Sequence, residues 1–332
     1  MKTDRLLLTL SCLAILLLHG YPIQAAGPLP EFTFQGVALH PKNLSYSPTD
    51  DLVHPSIIKT EERIEKPLGK YYMYYAPHKH IGISMAYSDS IQGPWKEYKS
   101  NPVIEGPSAP DIRWINGKFY MWGHRKNSQT ELWISKDGIK FEHRGVSVTA
   151  KNIGTRNASY TRVYEYPLKR YASQYIMLYS GFIEERKIRC IWLAHSKNAE
   201  NWVQLKTPLV EPIAGEKNDI YGPSLLRWRD RNYIVYQDHT AWRGGNIKYA
   251  EVDSQLNPVG GKGKRHVLID PPPEPPLKDR YRGGEFYLEN NTLYLYSSAS
   301  KDPRIIVYAT APAAPHPDGK PKLAPDKPPS VK

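Results

Sequence analysis

Cysteine is almost missing from this chain: two occur in 332 residues, Cys12 and Cys190. Cys12 falls inside a leading segment, residues 1–25, that has the three parts of a secretory signal: a basic start (Lys2, Arg5), an apolar run over residues 6–18 and a small-residue exit at Ala25-Ala26. Its loss would leave Cys190 alone, which excludes an intramolecular disulfide and leaves stability to the core. Long apolar runs are also lacking. The one in the signal is shorter than the roughly 18 residues that span a bilayer, so no integral membrane segment is expected in the mature chain. Runs of basic charge are absent too. The formal net charge is +12, but no five Lys or Arg residues stand together. This pattern describes a solvated basic surface and argues against a nucleic-acid partner. Residues 312–332, rich in Pro and Lys, have no apolar periodicity and are expected to be disordered. The remainder, 26–311, is expected to be one secreted, monomeric domain, extracellular or periplasmic.

Tyrosine is abundant, with 24 residues, and it is distributed in a pattern. Five short strand openings read His54-Pro55-Ser56, Ala109-Pro110-Asp111, Tyr160-Thr161-Arg162, Gly222-Pro223-Ser224 and Gly283-Gly284-Glu285. Each is followed by a strand rich in Tyr and β-branched or aromatic residues, such as Tyr71-Tyr72-Met73-Tyr74-Tyr75 or Leu293-Tyr294-Leu295-Tyr296. Third and fourth strands complete each unit, and four short strands per repeat make a propeller blade. The blades begin near 54, 109, 160, 222 and 283. The fifth lacks a strand that Phe32-Thr33-Phe34 would supply, joining the chain ends and removing a free sheet edge. A β-sandwich also has many short strands, but it does not require one repeated opening. The expected fold is all-β, a single five-bladed β-propeller, with its site where the openings converge on the axis.

Three segments carry a family resemblance: His54-Pro55-Ser56-Ile57-Ile58, Ala86-Tyr87-Ser88-Asp89-Ser90 leading to Gly93-Pro94-Trp95, and Ala109-Pro110-Asp111-Ile112. Together they resemble the five-bladed glycoside hydrolases of family 43 and relatives. The resemblance implies an Asp before the first Pro as general base, an Asp after the second Pro to orient it, and a Glu ahead of a later Gly-Pro as acid. This chain keeps Asp111 but has His54 at the base position and Tyr221 at the acid position. The expected function is a secreted glycoside hydrolase acting on a polysaccharide or oligosaccharide, with an anionic glycan suggested by the arginines near the openings. A non-catalytic carbohydrate-binding propeller and a glycoside phosphorylase stay open beside it.

Glycosidic cleavage usually needs one group to protonate the leaving oxygen and another to activate water or attack the sugar. Asp111 and Glu285 share a register and are the principal candidates; the competing role is ion pairing, of Asp111 with Arg113 and of Glu285 with Arg282 or Arg162. His54 titrates near neutrality and is a third candidate, or a structural histidine. Asp51 and Asp219 share another register, where Asp also commonly opens turns. Tyr221, Arg162, Arg282, His124 and His239 are candidate substrate contacts. No cofactor is expected to be required and no metal ligand set is assigned. The resemblance implies that a Ca²⁺ on the axis is possible, but no motif here supports it.

Overall fold

The computed structural model describes residues 29–45, 51–77, 82–238, 245–271, 281–299 and 303–313. The first strand, β1 (Thr33–Leu39), precedes the first blade. Blade I is β2 (Leu52–Lys59), β3 (Tyr71–Pro77), β4 (Gly82–Ser88) and β5 (Lys96–Glu97), with β6 (Ile104–Glu105) also on β4. Blade II is β7 (Ser108–Ile115), β8 (Lys118–Arg125), β9 (Gln129–Ser135) and β10 (Glu142–Thr149). Blade III is β11 (Ser159–Leu168), β12 (Ser173–Ile183), β13 (Ile188–Ser196) and β14 (Trp202–Gln204). Blade IV is β15 (Ile220–Trp228), β16 (Arg231–Asp238), β17 (Ile247–Val252) and β18 (His266–Ile269). Blade V is β19 (Tyr281–Glu289), β20 (Thr292–Ala299) and β21 (Ile305–Pro312), and β1 pairs antiparallel with β21 to complete it, Thr33 facing Thr310. The fold is therefore the all-β, five-bladed propeller, closed by the N-terminal strand.

Blades stacked around an axis cover each other on both faces, which explains why the second strands are apolar throughout rather than alternating. All of β3, Tyr71 to Pro77, is buried. The core is correspondingly split into clusters between neighbouring blades. One joins Trp122 of blade II to Val163, Tyr179 and Cys190 of blade III; another joins Tyr294 and Tyr296 of blade V to Leu52 and Tyr75 of blade I. Cys190 is a free, buried thiol, and burial pushes its pKa up to about 12. No helix among the described residues is long and apolar enough to cross a membrane.

The repeated openings have a common backbone cause. His54, Ala109, Tyr160, Gly222 and Gly283 all have positive φ, between 52° and 65°. The inner strand pair of every blade loses register there, between Val53 and Ser56, Ser108 and Asp111, Ser159 and Arg162, Tyr221 and Ser224, and Arg282 and Glu285. Each opening is thus a β-bulge, a device that re-aims the side chains on either side of it. Glycine meets the left-handed requirement in only two blades; His54, Ala109 and Tyr160 hold it at a cost of about 1–2 kcal/mol each.

Candidate functional site

The bulges place two tiers of residues around the axis. Gly283 and Gly284 of blade V, Gly222 and Pro223 of blade IV, Tyr160 with Thr161 and Arg162 of blade III, Ala109 of blade II and His54 of blade I line one cavity. Its empty volume is about 200 Å³ with open solvent included, and its interior has space for about one water. Its enclosed part is small, so a sugar-sized ligand would rest largely on its mouth.

The tier below holds the third residue of each opening: Ser56, Asp111, Arg162, Ser224 and Glu285, all buried. They knit blade to blade. Ser56 Oγ accepts from Ile112 N–H at 3.1 Å, Asp111 Oδ2 from Val163 N–H at 2.8 Å, and Ser224 Oγ donates to the Gly284 carbonyl. Tyr164 Oη, two residues beyond Arg162, takes Leu225 N–H at 2.9 Å. Arg162 crosses the axis from blade III, donating to the carbonyls of Pro110 (2.6 Å) and Pro55 (2.9 Å) while its Nε lies 3.0 Å from Glu285 Oε2.

Asp111 and Glu285 are therefore brought together, with arginines between them. Arg113 reaches Asp111 Oδ1 at 2.7 Å and Glu285 Oε1 at 2.9 Å, donates from Nε to Val163 O at 2.6 Å, and lies 5.1 Å from the Tyr164 ring centre. Burial pushes the Asp111 carboxyl up to about 7, against the opposing pull of Arg113 and Arg162. The space that a water or glycosidic oxygen would need is filled by two guanidinium groups. The same groups do not fit a Ca²⁺ on the axis, because a cation there would meet Arg162 and Arg113. Among the described residues no group of three His, Cys, Asp or Glu is arranged to hold a metal.

His54, Tyr160, His124 and Tyr221 form an aromatic cluster at the mouth. Tyr160 is central: its ring centre is 4.7 Å from His54, 5.0 Å from His124 and 5.4 Å from Tyr221. Tyr160 is also the half-exposed member, the others being buried. Desolvation, reinforced by the neighbouring Arg162, holds His54 well below its ordinary pKa, and desolvation lowers His124 to about 4. Both imidazoles are neutral near neutral pH. Burial raises the Tyr221 hydroxyl. Arg282 precedes Gly283 in the blade V bulge.

Asp51 and Asp219, despite their shared register, form two equivalent clasps beside this cluster, and Arg189 of one lies 5.0 Å from the Tyr221 ring centre. Asp51 Oδ2 is 3.2 Å from Arg304 of the preceding blade, and Asp219 Oδ1 is 3.2 Å from Arg189 of the blade before its own. A short parallel bridge accompanies each. Their common register thus has an inter-blade bracing role. His239 lies outside the described residues. In the sequence Tyr160 stands out only as a mark of the repeat, and nothing there marks Gln237, a fully buried carboxamide on β16. Arg113 was legible only as a partner for Asp111, not as a bridge to Glu285.

No family model matches the chain, and no curated protein matches it. Solved structures do. A glycoside hydrolase is similar over 89% of this chain and 96% of its own, with 15% identity and a TM-score of 0.61. A thermostable family-43 glycoside hydrolase is similar over 63% of this chain and 70% of its own, with 19% identity and a TM-score of 0.54. The β-1,2-mannobiose phosphorylase of Listeria innocua is similar over 70% and 67%, with 13% identity and a TM-score of 0.54. Identities this low speak for the fold alone. The chain has a five-bladed β-propeller fold resembling that of family 43 glycoside hydrolases.

Proposed function

We propose that the protein is an exported carbohydrate-binding propeller that seats a sugar on the axial mouth, over Tyr160, without cleaving it by the two-carboxylate route. The observation that carries this reading is the engagement of Asp111 and Glu285 by Arg113 and Arg162. Both glycosidase strategies need one carboxyl group free to exchange a proton with the leaving group and another free to attack or to activate water. Here the pair braces the ring. An aromatic face flanked by neutral imidazoles and phenols is suited to stacking and hydrogen bonding with a sugar.

Hydrolysis is the second reading, favoured by the Asp111 carboxyl, whose pKa of about 7 would let it hold a proton near neutrality. The two are separated by incubating the protein with a panel of plant, algal and microbial oligosaccharides, with and without phosphate. Titration calorimetry follows binding and chromatography follows products. Binding without product, weakened in Tyr160→Ala, is expected. Product that forms in the wild type and disappears in Asp111→Asn, with binding retained, would establish the hydrolase; product only with phosphate would establish a phosphorylase.

A further inference from the structure

Four arginines stand around the mouth, and three are neutralised. Arg162 meets Glu285 at 3.0 Å, Arg189 meets Asp219 at 3.2 Å and Arg304 meets Asp51 at 3.2 Å. Arg282 differs in one respect: among the described residues its guanidinium meets no carboxylate. Its buried Nε also has no acceptor among them, a feature it shares with Arg189. An N–H of a charged group buried without an acceptor is costly, more so than a neutral one. Arg282 is half-buried, one residue from Gly283 on the cavity wall, and close enough to His54 and Tyr221 for its charge to bear on both.

A second unmet group addresses the same bulge. In three blades the residue paired with the one before the bulge accepts the N–H of the next blade's opening: His124 Nδ1 from Tyr160 at 3.4 Å, Ser180 Oγ from Gly222 at 3.2 Å and Ser298 Oγ from His54 at 3.1 Å. Gln237 holds this register in blade IV, opposite Tyr221, so the next opening is Gly283, beside Arg282. Among the described residues neither its Oε1 nor its Nε2, both buried, has a hydrogen-bond partner. Gly245 ties it to the same place. A Cβ on Gly245 would lie 3.0 Å from Gln237 Nε2, and its carbonyl accepts from Tyr281 N–H at 3.1 Å.

We propose that Arg282 receives the anionic substituent of an acidic sugar, a carboxylate or a sulfate, seated over Tyr160, with the buried Gln237 carboxamide as a positioning group behind the Gly283 bulge and not a ligand contact. This deepens the carbohydrate reading and rests on it. A planar guanidinium fork matches both anions, and charge-assisted hydrogen bonds are the strong ones. Loss of such a contact is expected to weaken binding by about tenfold or more.

The test is calorimetric titration of the full mature chain at low salt with four probes: a galacturonic acid trisaccharide, its methyl ester, a galactose trisaccharide and a sulfated galactose trisaccharide. The acid or the sulfated form is expected to bind about tenfold tighter than its uncharged counterpart, and which of them does so identifies the anion. Arg282→Met should remove most of that difference while leaving the uncharged forms within a few-fold, and Arg282→Lys should keep part of it. Gln237→Met should weaken charged and uncharged forms together; unchanged affinity would remove Gln237 from the site. Equal affinity of charged and uncharged forms for the wild type, a comparison that needs no variant, overturns the inference and leaves the carbohydrate reading intact. Persistence of the difference in a folded Arg282→Met protein, verified by its thermal melt, overturns it as well. Failure of all four probes to bind, together with the oligosaccharide panel above, overturns the carbohydrate reading itself.

Discussion

Glu285→Gln isolates the axial charge cluster. Glu285 gives one carboxylate oxygen to Arg113 at 2.9 Å and the other to Arg162 at 3.0 Å, and it is 3% exposed, so solvent cannot take over either contact. The amide is nearly isosteric but neutral. Asp111 then faces two guanidinium groups alone, while Arg162 keeps its bonds to the Pro55 and Pro110 carbonyls and Arg113 its bond to Val163. Removing one partner of a buried ionic group typically costs about 3–5 kcal/mol, because a desolvated charge is left uncompensated. The retained carbonyl contacts place the expected loss at about 3 kcal/mol, or a fall in Tm of roughly 5 °C for a domain of this size. Urea unfolding and calorimetry measure it. The double variant Glu285→Gln/Arg113→Met should lose less than the sum of the single changes, since it removes an orphaned charge as well as its partner. A loss below about 1 kcal/mol, the value of an exposed pair, or strict additivity in the double variant, would refute the bracing role.

Other perturbations test separate parts of the same account. Asp111, with its carboxyl raised to about 7 from the ordinary 3.8, binds more protons folded than unfolded between those values, so its contribution to stability falls as pH rises from about 4 to 7. His124, lowered to about 4 from 6.5, acts oppositely, and its contribution is lost as pH falls from 6.5 towards 4. Urea midpoints of wild type, Asp111→Asn and His124→Gln across this range should diverge in those two directions; parallel curves would contradict both assignments. Gly283→Ala puts a Cβ 3.0 Å from His54 Nδ1 at a φ of +65°, whereas Gly117, at +75°, faces open space. Gly117→Ala should cost about 1 kcal/mol of backbone strain and Gly283→Ala about 2–3 kcal/mol; equal losses would argue against the packed axis. Arg304→Met should destabilise by about 3 kcal/mol because Asp51 is buried, and Arg189→Met by about 1 kcal/mol because its pair is more exposed. Unfolding free energies in the reverse order would contradict the clasp description.

The repeat was readable because a propeller writes its geometry into local sequence. Bulges need left-handed residues and stacked blades need apolar second strands, so five openings and five Tyr-rich strands recur. The closing strand at Phe32-Thr33-Phe34 was readable for the same reason: blade V was visibly one strand short. The axial positions were legible but not the contacts made there. Asp111, Glu285 and Arg162 could be placed on the axis by register, yet register does not say that Arg113 and Arg162 would lie between the two carboxylates. That depends on contacts across blades: Arg113 to Glu285 spans 172 residues. Asp51 and Asp219 show the converse. Their matched spacing was real, but it reflects a repeated clasp to arginines of neighbouring blades. Gln237 gave no signal, since a buried amide without a partner looks in sequence like any strand glutamine.

A crystal structure with a bound oligosaccharide tests the central claim most directly. The account predicts a sugar resting on Tyr160 at the mouth, between the His54 side and Arg282, with Asp111 and Glu285 still held by Arg113 and Arg162 beneath it. A sugar in contact with either carboxylate, with the arginines displaced and a water or glycosidic oxygen between the two acids, would contradict it.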